Sequence, residues 1–179
     1  QGHRATIAQV LSSRLGIPFE LIDLLQGDSD QLLVGGGTGG SRSVIAAGGA
    51  IYESAGAVIE KGKVFAGHVF EAAIDDIEFT DGEFRISGTD RSIGIMELAA
   101  KARALGGANG LPNSLDVDLV HDTAGSAFPN GVHVVEIEID PDTGETHVLK
   151  YTVVDDFGNV INPLLAAGQV HGGVVQGIG

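Results

Sequence analysis

The sequence contains no cysteine among its 179 residues. Without cysteine, the chain can form no disulfide, supply no thiolate nucleophile and ligate no iron–sulfur cluster. Basic residues are also scarce, with 10 lysines and arginines against 24 aspartates and glutamates. The resulting net charge of −14 argues against nonspecific binding of nucleic acid or of a membrane surface, because both need a basic footprint.

Long apolar runs are absent as well. No segment reaches the roughly 20 apolar residues that span a bilayer, and no charged-then-apolar leader opens the sequence. We therefore expect a cytoplasmic protein without membrane insertion. The chain opens with Gln-Gly-His and stops inside a helical pattern, and we expect it to be a piece of a longer protein.

Glycine, by contrast, is abundant, with 28 residues and no Gly-X-Y period in a chain that is 43% hydrophobic. This composition is typical of a globular protein with many tight turns. Residue spacing predicts helices at 4–15, 41–73, 93–105 and from 163 onward, and strands at 19–25, 77–80, 83–87, 132–139 and 146–155. Helices mixed with hairpins predict an α+β fold of two subdomains, 1–105 and 115–179, joined by the polar connection 106–114.

The segment GGGTGGSRS at 35–43 lies directly before the long predicted helix, which Ser41 could cap. Glycine allows positive φ and a close approach of the backbone to a ligand. A helix N-terminus adds unpaired N–H groups and positive partial charge, and the Ser and Thr hydroxyls and Arg42 add donors. The segment therefore predicts a cradle for phosphate or pyrophosphate. It matches neither a Walker loop nor a dinucleotide turn, and a plain glycine-rich loop is the alternative.

Two further segments could carry chemistry. Asp155 and Asp156 close a predicted strand, where carboxylates can accept hydrogen bonds or simply form a turn, and adjacent residues of a strand point apart. Gln169, Gly172, Gly173 and Gln176 share one face of the final helix, which suits the close approach of a backbone or a ligand. The six histidines lack zinc-site spacing, and no Gly-x-Ser-x-Gly elbow occurs. We predict neither a metal ligand nor a catalytic residue in this chain.

Four segments in order resemble the molybdenum hydroxylase family, which includes xanthine dehydrogenase, aldehyde oxidase and the large subunit of aerobic carbon monoxide dehydrogenase. They are QGH at 1–3, TGGSRS at 38–43, VDDFGNVINP at 154–163 and GQVHGGVVQGIG at 168–179. The resemblance covers almost the whole chain. It departs from the family at Gly39, where an aromatic residue is common, and at Phe157, where cysteine is frequent.

The resemblance implies a molybdopterin-binding region of a molybdenum-dependent hydroxylase that uses oxygen derived from water. It implies a molybdenum cofactor in its cytosine dinucleotide form, iron–sulfur and flavin centres on partner subunits or domains, and a small-molecule substrate. The catalytic glutamate of the family lies outside these residues. The cofactor-binding residues that the resemblance implies are Gln1, Gly2, His3, Thr38, Gly39, Gly40, Ser41, Arg42, Ser43, Asp155, Asp156, Asn162 and Gln169.

Two other hypotheses stay open from the sequence. The same loop could belong to a non-enzymatic module that binds a nucleotide or another anion. The chain could also be a structural domain that has lost its cofactor. The intact Gln, Gly and Ser positions argue against the second of these.

Overall fold

The computed structural model describes residues 1–105, 107–123 and 127–179. It forms two compact units, Gln1–Gly125 and Ser126–Gly179. The first unit contains α1 (His3–Leu15), α2 (Gly49–Phe70), β1 (Ile77–Thr80), β2 (Glu83–Ile86), β3 (Ser92–Gly94) and α3 (Ile95–Leu105). The second unit contains β4 (Asn130–Ile139), β5 (Thr146–Asp156) and α4 (Pro163–Ile178). Four helices with two small antiparallel sheets confirm the predicted α+β class.

The first unit is built around α2, which carries the largest share of its core. Phe65 of α2, Phe84 of β2 and Leu98 of α3 are fully buried at 0% exposure. Burying each such side chain contributes about 1.5–3 kcal/mol. The meander β1–β2–β3 covers one side of α2, and its first turn contains Asp81 and Gly82, both with positive φ as the hairpin signal requires.

The second unit is a long antiparallel ribbon followed by α4. Val132 pairs with Val154, and a bulge interrupts the register after Glu136. Asn162 caps α4, since its side-chain oxygen accepts from the Leu165 N–H at 3.1 Å. No residue from 127 to 179 is fully buried, and large apolar side chains such as Leu164 stay exposed. This unit therefore forms no core of its own. None of the helices in the described part of the chain combines the length and hydropathy of a transmembrane span.

Three of the predicted elements differ from the structure. The strand predicted at 19–25 is wrong: Phe19–Leu21 form a short 3-10 turn after Pro18, and the segment that follows pairs with no strand of the described residues. The helix predicted at 41–73 begins with the π-helical turn Val44–Gly48 and ends at Phe70. Ser41 is not its cap, because its φ of 51° places it in the preceding loop. β3 was not predicted, since Ile93 and Gly94 had been assigned to the helix predicted at 93–105 and Ser92 to no element.

The division between the compact units follows Gly125. Residues 106–114, predicted as the connection, belong to the first unit, where Leu115 directly after them joins the core. Contact-based units and cofactor-binding subdomains need not share a boundary. The predicted division into cofactor-binding subdomains 1–105 and 115–179 stays a prediction.

Candidate functional site

The glycine loop, residues 35–43, is an exposed turn that leads into α2. Gly37, Gly40 and Ser41 have φ values of 67°, 63° and 51°. Such φ values cost a residue with a side chain about 1–2 kcal/mol, so Ser41 holds a strained conformation. A Cβ on Gly39 or Gly40 would meet nothing within 4 Å. The loop is therefore open enough for a ligand to lie directly on its backbone.

The donors of this loop are not used within the described chain. The first helical hydrogen bond runs from Ala46 N–H to Arg42 O at 2.9 Å. In the described residues, no acceptor faces the N–H groups of 43–45, and no partner meets the hydroxyls of Thr38, Ser41 and Ser43 or the Arg42 guanidinium. Unpaired donors at a helix N-terminus, beside one arginine, form an arrangement that binds anions.

The turn Gln1-Gly2-His3 is tied to the segment that follows α1. Gly2 adopts φ 73°, and its carbonyl accepts from Thr6 N–H at 3.1 Å. The His3 Nδ1–H donates to Gln26 Oε1 at 3.3 Å. These bonds give the turn a defined conformation. No hydrogen bond or ion pair among the described residues joins this turn to the glycine loop.

Asp155 lies at one wall of a cleft of about 610 Å³ within the second unit. Its carboxylate is only 14% exposed, and its Oδ1 lies 3.4 Å from His133 Nε2. The other ring nitrogen of His133 lies 3.2 Å from the Tyr151 hydroxyl. An imidazole whose Nε2–H faces the carboxylate leaves Nδ1 to accept from Tyr151. The two ring nitrogens of His133 thus face the Asp155 carboxylate and the Tyr151 hydroxyl.

Asp156 has a different role from its neighbour. Its Oδ1 accepts from Gly158 N–H at 2.8 Å, which closes the turn after β5. Since successive side chains of a strand alternate, Asp155 and Asp156 point to opposite faces of the ribbon.

The helix α4 presents two distinct faces. The cleft is lined on the helix side by Ala167, Val170, His171, Val174 and Val175. At 100° per residue, Gln169 lies on the side of the helix that faces away from this cleft. Gly172 and Gly173 share that side, and a Cβ on either would meet nothing within 4 Å. Within the second unit, Asp155 and Gln169 therefore lie on opposite sides of α4, and Asn162 serves as its cap.

One contact of the first unit was not predicted. His121 Nδ1–H donates to Glu53 Oε2 at 2.8 Å, and the imidazole lies against Gly49 at the start of α2. The two bonded residues are 68 positions apart, so no local motif could have linked them. The structure shows no group of three or more His, Cys, Asp or Glu side chains that could hold a metal within the described ranges.

Comparison with known proteins places this geometry in context. The family model of the molybdopterin cofactor-binding domain matches residues 1–179. The chain is 40% identical to the 6-hydroxypseudooxynicotine dehydrogenase complex subunit gamma of Paenarthrobacter nicotinovorans, over 100% of this chain and 23% of that protein. It is 34% identical to the carbon monoxide dehydrogenase large chain of Hydrogenophaga pseudoflava, over 99% of this chain and 22% of that protein.

A solved structure shares the fold. The reconstituted CO dehydrogenase from Oligotropha carboxidovorans superimposes with a TM-score of 0.85 at 34% identity, over 96% of this chain and 21% of that one. The chain thus spans between a fifth and a quarter of the length of these three relatives.

Proposed function

Since this chain belongs to the molybdopterin cofactor-binding domain family of the molybdenum hydroxylases, we propose that residues 38–43 hold the diphosphate of a molybdopterin dinucleotide. The observation that carries the proposal is the set of unused donors. Three hydroxyls, the Arg42 guanidinium and the N–H groups of 43–45 meet no acceptor in the described chain. A diphosphate supplies acceptor oxygens and negative charge for such donors.

The charge of the chain makes these donors necessary. A net charge of −14 repels an anionic cofactor at long range. Local hydrogen bonds and the partial positive charge at the start of α2 must therefore supply the attraction. Arg42 folds back over the loop, with its Nη2 3.9 Å from the position of a Cβ on Gly36. A methyl group at residue 36 would make ordinary van der Waals contact with the guanidinium.

The remaining predicted residues complete the proposal. Gln1, Gly2 and His3 would contact the pterin end, and the Gln169 face of α4 would approach the cofactor. Asp155 and Asp156, on opposite faces of the ribbon, would not both contact one small ligand. Asn162 would act by capping α4. These roles rest on the family resemblance together with the positions described above.

The parent protein is proposed to be a molybdenum-dependent oxidoreductase. When bound, the cofactor supplies the redox chemistry that hydroxylates a small-molecule substrate with oxygen from water. The residues of this chain bind and orient that cofactor, and the cofactor itself supplies the chemistry of the reaction. We propose iron–sulfur and flavin centres on partner subunits or domains, and the cytosine dinucleotide form of the cofactor. The cytoplasmic location stays a prediction.

The second unit supports the view that further protein surrounds this chain. β4 is exposed along its whole length, and no residue of α4 is buried. A two-stranded ribbon without a covered face is marginally stable in water. We propose that other parts of the parent protein cover these apolar faces.

The alternative of a non-enzymatic nucleotide-binding module has no support from the comparisons. The relatives reported above carry the names of dehydrogenases, and they match over the whole chain. No observation on the loop favours a free nucleotide over a pterin dinucleotide.

The test uses the full-length protein in its native complex. Arg42→Ala should lower the pterin, the nucleotide and the molybdenum bound per folded protein by about ten-fold, the loss that follows when about 1.4 kcal/mol of binding is removed. Arg85→Ala is the control, because Arg85 is an exposed arginine of β2 whose one ion pair within the described residues is with Glu83 at 3.3 Å. Chromatography of the released nucleotide identifies its base. Full cofactor content in Arg42→Ala would contradict the proposed role of the loop.

A further inference from the structure

We propose that His121 is a positioning residue for the glycine loop, acting through the first turns of α2. The inference rests on the proposed function of residues 38–43 and goes beyond the family resemblance, which assigns no role to His121. Among the described residues, no hydrogen bond or ion pair joins His121 to the glycine loop.

The first step is the contact itself. The His121 Nδ1–H donates to Glu53 Oε2 at 2.8 Å, and the imidazole is 26% exposed. A Cβ on Gly49 would lie 2.8 Å from His121 Nε2 and 3.1 Å from Cδ2. The ring therefore rests on the bare backbone of α2 at its first residue, and one turn later its Nδ1–H bonds Glu53.

The second step is what lies between this contact and the loop. The π-helical turn Val44–Gly48 occupies the whole interval between Ser43 and Gly49. A π-helical turn is a rare form that is frequently found at functional sites. This turn ends at Gly48 and is followed by Gly49, and because glycine has a low helix propensity, the geometry of the turn depends on support by contacts from elsewhere in the fold. His121 supplies that support at the residue where the π-helical turn becomes α-helix.

The third step concerns the segment that carries His121. Residues 111–121, which we call the strap, have no regular structure after the short turn Ala108–Gly110. Leu115 anchors the strap in the core, and Lys61 Nζ donates to Asp116 O at 2.7 Å. The strap thus meets α2 at two places, Lys61 far from the loop and Gly49–Glu53 next to it. Only the contact at Gly49–Glu53 is near enough to the loop to set the direction of the N–H groups of 43–45.

The test measures cofactor retention in the full-length, cofactor-loaded protein. We expect His121→Ala to release molybdenum and pterin about ten-fold faster, the lower end of the effect of removing a residue that supports a ligand group. His121→Gln, which keeps an N–H donor for Glu53, should restore most of the retention. Lys61→Met is the matched control, since it loosens the strap at its distal end and should leave retention unchanged.

Gly49→Ala separates positioning from simple stability. Alanine is a better helix former than glycine, so α2 by itself should gain stability. The added methyl displaces the imidazole, and we expect cofactor release to accelerate as in His121→Ala. If His121 had only a structural role, the rate of cofactor release would rise as the apparent Tm falls across the variants. The proposal does not expect this correlation.

The outcomes also separate this inference from the proposed function. If Arg42→Ala weakens retention while His121→Ala and Gly49→Ala do not, the positioning role is overturned and the loop remains the anchor. If Lys61→Met accelerates release as much as His121→Ala, the strap acts only as structure and the inference is again overturned. If none of the variants affects retention, the loop does not hold the cofactor and both proposals fall.

Discussion

Gly16 and Gly82 lie with their backbones against each other, although 66 residues separate them in sequence. Gly16 ends α1 with φ 63°, and Gly82 belongs to the β1–β2 turn with φ 82°. A Cβ on Gly16 would overlap the Gly82 backbone, and a Cβ on Gly82 would lie 3.0 Å from Gly16 O. The end of the first helix is thereby packed directly onto the turn of the sheet.

This contact predicts an unusually large effect for Gly16→Ala. The positive φ alone costs about 1–2 kcal/mol, and the overlap with backbone atoms adds about 1–3 kcal/mol. Gly88→Ala is the matched control, because Gly88 has φ 73° and no atom within 4 Å of its added Cβ. Thermal unfolding of the two variants should show a clearly larger loss of stability for Gly16→Ala. Equal losses of stability would mean that the positive φ, and not the packing of Gly16 against Gly82, accounts for the effect of both substitutions.

The sequence indicates that both glycines are turn residues, but it does not indicate that they contact each other. Gly16-Ile17-Pro18 ends a helix by local rules, and Asp81-Gly82 forms a hairpin by local rules. Both are confirmed. Which turn packs on which helix end depends on tertiary packing, which spacing does not encode. The same limit applies to His121 and Glu53, whose contact no local pattern indicates.

A second prediction concerns the glycines inside α2. Gly62 is buried, and a methyl there would overlap the ring of Phe84, which is 0% exposed. Gly62→Ala should therefore lower stability by about 1–3 kcal/mol despite its better helix propensity. At Gly56 the added Cβ meets nothing within 4 Å. Gly56→Ala should instead raise stability by about 0.5–1 kcal/mol, and equilibrium denaturation distinguishes the two signs.

The glycines of α2 meet different neighbours, and at Gly67 the neighbour is the Ala72 carbonyl oxygen of the backbone, 3.1 Å from an added Cβ. At Gly62 the neighbour is an aromatic side chain, and at Gly56 there is no neighbour among the described residues. Composition can therefore predict that some position in a glycine-rich helix is crowded. It cannot identify which one, because the neighbour comes from a strand far along the chain.

The cap of α4 gives a third prediction. Asn162 Oδ1 accepts from Leu165 N–H at 3.1 Å, with Pro163 at the first helical position. Asn162→Ala should destabilise the start of α4 by about 1 kcal/mol. Asn162→Asp keeps an acceptor at the same place and should retain most of the stability. Hydrogen exchange of the first turn of α4 measures the effect of both substitutions. Identical exchange rates in the two variants would show that the Asn162 side-chain cap does not stabilise the helix.

Features of the site that depend on local sequence could be predicted, whereas features that depend on tertiary packing could not. The open glycine loop follows from residues 35–43 alone, because glycine content and the following helix dictate it. The separation of Asp155 from Gln169 needed the position of α4 against β5, which the alternation of a strand does not reveal. The strand predicted at 19–25 failed because apolar residues after Pro18 do not provide a pairing partner.

The uncovered second unit gives a fourth prediction. In a 179-residue chain expressed alone, amides of β4 and β5 should exchange with solvent much faster than those of α2 and β2, because burial protects only the first unit. In the full-length protein the same ribbon should be strongly protected. Equal exchange of β4 in both forms would show that no further protein covers it.

The turn between β4 and β5 contains Asp140, a carboxyl group whose pKa is displaced by its hydrogen bonds. Asp140 Oδ1 accepts from the N–H groups of Asp142 at 2.7 Å and Thr143 at 3.1 Å. These backbone bonds stabilise the carboxylate and hold the pKa of Asp140 below its ordinary value of 3.8.

The sign of the pH effect follows from this direction. A group whose pKa is lower in the folded state contributes stability that is fully present above its unfolded pKa. That stability is lost as the pH falls below 3.8 and through the lower folded pKa. Asp140→Asn keeps an acceptor for both N–H groups and cannot titrate, so hydrogen exchange and NMR shifts of this turn should lose their acid transition below 3.8. Asp142→Asn, which removes a neighbouring carboxyl group and keeps the Asp140 bonds, should leave that transition in place. An acid transition that persists unchanged in Asp140→Asn would assign it to another carboxyl group.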